Sequence, residues 1–401
     1  MFGHSVSIFV LLRAHKQPIY SKKSPFFDGI YLAFMTKRLI IKDRINWVLV
    51  KNRTEKGGNE MKRGLLSVFV SVVFLFASIG AGYAAQWANP DLLVAPDVVE
   101  KNISKPDWVV IDCRKLEDYA KGHIPGSISI GKNCKKALRD GTSRAFDDAS
   151  KYEKLLSKIG IGNTTHVVVY GDLKTKSLDD ATVAFWVLEY IGHDKVHVLN
   201  GGLEAWTAAG KKLDTAPTMK QPAAFKAKVV KGRYASTDEV LKIAKGQAKG
   251  VQLIDARTKG EHEGDDIRAL RGGRIPHTDI NIPHTDTYDK KKDPATGKDV
   301  PTSFLSHETV AKFYEKLDKS KRTIGYCQTG TRSTLTYLEL RLLGFKEPAN
   351  YDDSWTVWGN AVNKGYPVED EQWIDLSRIK SLEDDVKKLK EKLEKTEGEK
   401  K

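Results

Sequence analysis

Two apolar runs, each closed by an Asp-x-Arg turn, set the frame of the chain: Trp108-Val-Val-Ile-Asp112-Cys-Arg114 and Val251-Gln-Leu-Ile-Asp255-Ala-Arg257. Runs of this length without polar alternation predict strands buried on both faces of a sheet. A Pro-containing turn follows each, Gly122-His-Ile-Pro-Gly126 and Gly273-Arg-Ile-Pro-His277, and feeds another short strand. A third strand comes next, His166-Val-Val-Val-Tyr170 in one half and Thr323-Ile-Gly-Tyr326 in the other. Amphipathic helices are predicted after them, over Asp179 to Ile191 and Ser333 to Leu343. Gly and Trp signals close each half, Leu199-Asn-Gly-Gly-Leu-Glu-Ala-Trp206 and Tyr351-Asp-Asp-Ser-Trp-Thr-Val-Trp358. Corresponding features lie 143 to 156 residues apart, so the pattern is a tandem duplication. Alternating strands and helices predict an α/β fold class, with one helix-flanked parallel sheet in each half.

The remaining segments break this rhythm. Residues 214 to 231 are rich in Lys, Ala and Pro, with Pro217 and Pro222 opposing regular structure, and read as a linker between domains at 89–213 and 232–370. Residues 371–401 are a charged tail in which Ile379, Leu382, Val386, Leu389 and Leu393 recur at 3-4-3-4 spacing. That is a two-heptad coiled-coil stripe, which implies self-association or a helix that packs back on the domain or frays. At the other end, Met61-Lys-Arg63 leads into an apolar run from Leu65 to Ile79 and then Gly80-Ala-Gly-Tyr-Ala-Ala85. A basic start, a short apolar core and small residues before Gln86 predict a secretory signal peptide at 61–85, with an uncleaved anchor as the lesser alternative. Met61 is then the expected start, residues 1–60 a non-native extension, and the mature protein exported, periplasmic or secreted, with no stable membrane span after cleavage.

Charge changes this picture little once it is located. The formal net charge is +14 over 401 residues, but residues 1–85 hold 13 Lys/Arg against 4 Asp/Glu, leaving a net +5 for the rest. No basic block is interleaved with stacking aromatics, which argues against a nucleic-acid partner. Three cysteines, Cys113, Cys134 and Cys327, are too few for a disulfide scaffold; Cys113 and Cys134 either pair or are buried thiols.

Cys327 carries the candidate chemistry. It ends the third strand of the second half and opens the loop Cys327-Gln328-Thr329-Gly330-Thr331-Arg332, directly before a helix. Unpaired N–H groups and a helix N-terminus favour thiolate over thiol, and an ordinary thiol, with a pKa of about 8.5, needs such help to be an efficient nucleophile. Gln328, Thr329, Gly330 and Thr331 are expected to curl their N–H groups toward the sulfur, Gly330 allowing a conformation that a Cβ resists. The same donors, with Arg332, would bind an anionic substrate; Arg257 and Arg274 are weaker anion-contact candidates. Asp112, Arg114, Asp255 and Arg257 read more simply as strand-end ties, His123 as a turn residue, His277 and His284 as surface histidines, and Trp206, Trp355 and Trp358 as core. No metal or organic cofactor is implied.

These residues resemble the rhodaneses, in particular the tandem-domain thiosulfate sulfurtransferases, over roughly residues 89 to 370. The resemblance rests on the two Asp-x-Arg strand ends, the Gly-His-Ile-Pro-Gly turn and its degenerate copy, the six-residue loop opened by Cys327, and Gly-Gly-x-x-x-Trp at 201 to 206. It implies an inactive first domain, since Gly171 aligns with Cys327, forming a wall of the active cleft. It also implies an enzyme that moves the sulfane sulfur of thiosulfate to cyanide or a thiol through a Cys327 persulfide. The alternatives are 3-mercaptopyruvate as donor, or a non-catalytic persulfide carrier. Phosphatases built on this fold have five residues between Cys and Arg, where this chain has four. Two features depart from the thiosulfate-specific pattern. Thr329 replaces a basic residue, and Glu261 stands where some members carry a substrate-binding Arg, leaving Arg268, Arg271 or Arg274 to replace that charge.

Overall fold

The computed structural model describes residues 87–139, 148–173, 177–292, 297, 299–304 and 306–398; the proposed extension and signal peptide lie outside them. In the first half the chain runs β1 (Leu93–Val94), α1 (Pro96–Asn102), β2 (Trp108–Asp112), α2 (Leu116–Lys121), β3 (Ile128–Ser129), α3 (Cys134–Arg139), α4 (Ser150–Lys158), β4 (His166–Tyr170), α5 (Leu178–Tyr190), β5 (Val196–Leu199) and α6 (Gly202–Ala208). Its strands form one parallel sheet in the order β1-β5-β4-β2-β3. Side chains alternate across the pleat. Val109, Ile111, Val167 and Val169 enter one apolar cluster, and Val110, Val168 and Tyr170 enter the other. Both faces are buried, which is why these strands read as unbroken apolar runs.

The second half runs α7 (Thr237–Ala244), β6 (Val251–Asp255), α8 (Lys259–Glu263), β7 (Arg271–Arg274), β8 (Thr278–Asn281), β9 (Tyr288–Lys292), β10 (Asp299–Phe304), α9 (His307–Phe313), β11 (Arg322–Tyr326), α10 (Ser333–Leu342), β12 (Glu347–Asn350), α11 (Ser354–Trp358), β13 (Glu369–Trp373) and α12 (Leu376–Gly398). Its main sheet is again parallel, β12-β11-β6-β8, with two antiparallel pairs outside it, β9 with β10 and β7 with β13. The antiparallel pairs were not expected, because Asp289-Lys-Lys-Lys292 carries no apolar alternation to signal a strand.

The duplicated motif closes the same way twice. Arg114 Nη2 donates to Asp112 Oδ2 at 2.6 Å and to the Gly122 carbonyl at 2.7 Å, and the Tyr170 hydroxyl donates to Asp112 Oδ2 at 2.6 Å. In the second half Arg257 Nη2 donates to Asp255 Oδ2 and the Gly273 carbonyl, both at 2.7 Å, and Tyr326 donates to Asp255 Oδ2 at 3.0 Å. These Asp and Arg residues therefore tie strand ends to turns. His123 does related work, with Nδ1 2.9 Å from the Tyr119 carbonyl and Nε2 3.1 Å from that of Ala216. Trp206, Trp355 and Trp358 are core residues, as the sequence implied.

The halves share a core. Leu335, Tyr337, Leu338 and Leu342 of α10 pack into the apolar cluster of the first half. Thr182 and Thr334 hydroxyls meet at 2.8 Å, and seven residues further along both helices the buried Glu189 carboxylate accepts from Arg341 Nη2 at 2.9 Å. Contacts ascend together on α5 and α10, so the two helices run parallel with their N-termini side by side. Between the halves, residues 216 to 230 form no helix or strand, and backbone bonds from Ala223 to Ser157 and from Lys228 to Ile191 hold them against the first half. In α12 the side chains of Val386 and Leu389 are exposed, so that part of the stripe is not buried against the domain.

Candidate active site

Strand β11 carries Ile324 and Tyr326, both fully buried, and so delivers Cys327 to the sheet's carboxyl end as a buried free thiol. Cys113 and Cys134 are disulfide-bonded to each other, which decides between their two readings.

The loop after Cys327 is built from carbonyls that face the surrounding protein. Trp355 N–H donates to the Cys327 carbonyl at 3.0 Å, Thr356 N–H to that of Gln328 at 2.8 Å, and Asn350 Nδ2 to that of Gly330 at 3.1 Å. The Thr334 hydroxyl donates to the Thr331 carbonyl at 2.7 Å and Leu335 N–H to that of Arg332 at 3.1 Å. The Thr329 carbonyl accepts from Arg139 Nη2 at 2.7 Å. All six carbonyls are thus taken. Among the described residues, no acceptor takes the N–H of Gln328, Thr329, Gly330, Thr331 or Arg332. In a planar trans peptide the N–H points opposite to the C=O. A loop whose carbonyls are all held by the surrounding protein leaves its donors on the other side, an arrangement that can bind an anion or a charged sulfur.

Gly330 makes this winding possible. Its φ is +71°, and a Cβ there would fall 2.3 Å from the Asp352 carbonyl oxygen. The polar atom beside the sulfur is a hydroxyl oxygen, not a loop N–H, and its one proton goes to Asn350 Oδ1, which leaves Ser333 Oγ able to accept from the thiol. The Ser333 hydroxyl lies 3.6 Å from Cys327 Sγ and 2.6 Å from Asn350 Oδ1, and among the described residues it alone is within hydrogen-bonding reach of the sulfur. Cys327 N–H is held by Ser354 Oγ at 3.1 Å, from a residue in the left-handed region with φ of 50°.

The arginines are arranged differently from the sequence expectation. Arg332 forms a bidentate pair with Glu261, both bonds 2.7 Å. Burial works against its charge, yet the Glu261 hydrogen bonds and the nearby Glu261 and Asp255 carboxylates raise its pKa above the ordinary arginine value. Burial pushes the Glu261 carboxyl up, but Arg332 and the Thr258 backbone bring it below the usual range. Glu261 also closes a capping box with Thr258 at the start of α8. Glu261 is thus the partner that fixes Arg332. Arg257 is buried in its Asp255 pair and lies 4.3 Å from the Trp355 ring centroid, and Arg274 pairs with Glu369 and Asp370. Both guanidinium groups are held by carboxylates in this arrangement. Arg271 is likewise tied to Glu371 and two carbonyls. Arg268 reaches the site, 3.7 Å from Glu261, and its carbonyl accepts from Gln328 Nε2 at 2.8 Å. His277 is exposed, while His284 is half-buried, 3.8 Å from Asp179.

Sequence reasoning missed Ser333, Asn350, Ser354 and Arg139. In the first half, by contrast, a Cβ on Gly171 would fall 2.1 Å from the Ser177 carbonyl oxygen, leaving no room for a nucleophile.

The model of the Rhodanese-like domain matches residues 95–209 and 236–361, the two halves described above. The chain belongs to the rhodanese-like domain family. Among curated relatives of this family, a thiosulfate sulfurtransferase of Corynebacterium glutamicum is 33% identical over 303 residues, covering 71% of this chain and 92% of that protein. The sulfur carrier protein TtuD of Thermus thermophilus is 32% identical over 299 residues, covering 70% and 98%. Among solved structures, an anaerobic ergothioneine biosynthesis enzyme from Chlorobium limicola superposes with a TM-score of 0.57 at 21% identity, covering 70% of this chain and 71% of that one. That last likeness speaks for the rhodanese fold alone.

Proposed function

We propose that this rhodanese-family chain is a sulfurtransferase that carries sulfane sulfur on Cys327, with thiosulfate as donor and cyanide or a thiol as acceptor. The observation that carries the reading is a loop whose six carbonyls are all taken while its N–H groups from Gln328 to Arg332 have no acceptor among the described residues, opened by one buried free cysteine. The thiolate attacks the outer sulfur of thiosulfate, the S–S bond breaks, and sulfite leaves with the bonding electron pair. Cysteine persulfide remains, its terminal anion facing the loop donors. The acceptor then attacks that terminal sulfur and regenerates the thiolate. The names of the relatives support this class of chemistry, and the TtuD name favours a second reading in which the persulfide is handed to a partner rather than turned over.

Export is proposed on the sequence of residues 61–85, and the Cys113–Cys134 disulfide supports an oxidising compartment. Self-association is proposed through the exposed apolar face of α12, and sedimentation of the full chain against a form ending at Glu371 tests it: equal masses would refute it.

Mass spectrometry after incubation with thiosulfate, alongside steady-state sulfite release with cyanide, tests the main reading. An enzyme gains one sulfur atom on the peptide containing Cys327, turns over, and loses both properties in Cys327→Ser. A carrier loads once without turnover. Absence of the sulfur adduct on wild-type Cys327 refutes both.

A further inference from the structure

We propose that Arg139, from the first half, is a positioning residue for the Cys327 loop; the proposal rests on the sulfurtransferase reading. Arg139 is the last residue of α3 and reaches the second half with both terminal guanidinium nitrogens. Nη1 donates to Thr331 Oγ1 at 3.0 Å, and Nη2 donates to the Thr329 carbonyl at 2.7 Å and pairs with Asp352 Oδ1 at 2.8 Å. The Arg139 side chain is largely buried, and Asp352 is fully so. A planar fork with fixed donor directions can hold a carbonyl, a hydroxyl and a carboxylate at once, which a lysine cannot.

The bond to the Thr329 carbonyl is the informative one. The peptide joining Thr329 to Gly330 is the most easily reversed unit of the loop, because glycine accepts either sign of φ. Reversal would turn the Gly330 N–H outward and point a carbonyl dipole at the incoming anion. The other loop carbonyls are held by groups of the second half, whereas this one is held from the first. The first half thereby supplies the clamp on the most easily reversed peptide of the second half's loop.

The clamp is itself braced. Cys134, the first residue of α3, is disulfide-bonded to Cys113 at the end of β2, and Cys113 N–H donates to the Tyr170 carbonyl at 2.8 Å. At the other end of α3 the Leu138 carbonyl accepts from the buried Tyr152 hydroxyl at 2.8 Å. Both ends of this short helix are fixed to the first half, so Arg139 is presented rigidly.

The test is single-turnover sulfite release from thiosulfate by the full chain, comparing wild type with Arg139→Lys, Arg139→Gln and a Cys113→Ala/Cys134→Ala double variant, with melting temperatures alongside. Loss of one inward donor predicts a saturating loading rate lower by roughly 10²-fold in Arg139→Gln, in the range seen when a single oxyanion donor is removed. The half-saturating thiosulfate concentration should rise less, Arg139→Lys should recover part of the rate, and the disulfide variant should fall between Lys and wild type. A loading rate equal to wild type in any folded Arg139 variant overturns the proposal, as does a melting-temperature loss with no loss of rate. If Arg139→Gln does not fold, Arg139→Lys decides. Failure of wild type to load sulfur at all would instead refute the sulfurtransferase reading.

Discussion

Replacing Gly330 by Ala should silence the loop while leaving the fold nearly intact. Two costs arise. An alanine in the left-handed region at φ +71° costs about 1 to 2 kcal/mol of conformational energy. The new Cβ would also sit 2.3 Å from the Asp352 carbonyl oxygen and 2.6 Å from its Oδ1, so loop or β12–α11 connection must give way by about 1 Å to reach ordinary contact. Asp352 is the partner of Arg139, and Asn350 Nδ2 holds the Gly330 carbonyl, so the displacement passes to two of the contacts that keep donors inward. A 1 Å misplacement of this kind costs on the order of 10²-fold in rate. The assay is the rate of sulfite release in a single turnover, per folded Cys327. Gly365 is the control, because its φ is +64° and nothing lies within 4 Å of an added Cβ, so Gly365→Ala should lose about 1 kcal/mol of stability and no rate. Equal loading by Gly330→Ala and wild type would refute the argument that loop winding controls the chemistry.

Glu189 joins the halves through Arg341, Arg233 and Tyr337, and Glu189→Ala should destabilise by about 3 to 5 kcal/mol, read from urea unfolding; a loss under 1 kcal/mol would contradict this. Burial lowers the His193 pKa to about 4, so between pH 6.5 and 4 the unfolded chain binds a proton that the folded chain refuses, and stability falls as pH falls, by about 3 kcal/mol in total. His193→Gln should flatten that limb of the urea midpoint against pH. Glu339 has the opposite sign: burial raises its pKa to about 7, so stability present at pH 4 is lost as pH rises through 7, and Glu339→Gln should raise the urea midpoint at pH 8 more than at pH 5.

Much of the first half is legible in the sequence because its central strands β2 and β4 are buried on both faces and are written as Val and Ile runs. Cys327 is legible for the same reason: a strand, a thiol, a glycine and a helix stand in one line of sequence. Glu261 was visible only as an anomaly, a carboxylate where a cation was expected. Its meaning needs the turn that brings it 2.7 Å from Arg332, 71 residues away, and shows that the acid secures a cation already in the loop. Strand β9 is illegible because its exposed residues Asp289 to Lys292 lack the period that betrays a strand.

Arg139 lies beyond sequence reasoning for a more basic reason. It acts on a main-chain carbonyl 190 residues away, and a carbonyl has no residue type to recognise. The same is true of the site as a whole, where all six loop carbonyls are held by groups outside the six residues of the loop, two of them by the first turn of α10. Side chains of the motif say where the sulfur is. What makes the position reactive in the proposed mechanism is the direction of peptide dipoles, and that direction is set by Arg139, Asn350, Trp355 and Thr356, which share with Cys327 only the fold. Only Gly330 leaves a trace of this winding in the motif, since it is the one residue there whose backbone no side chain could follow.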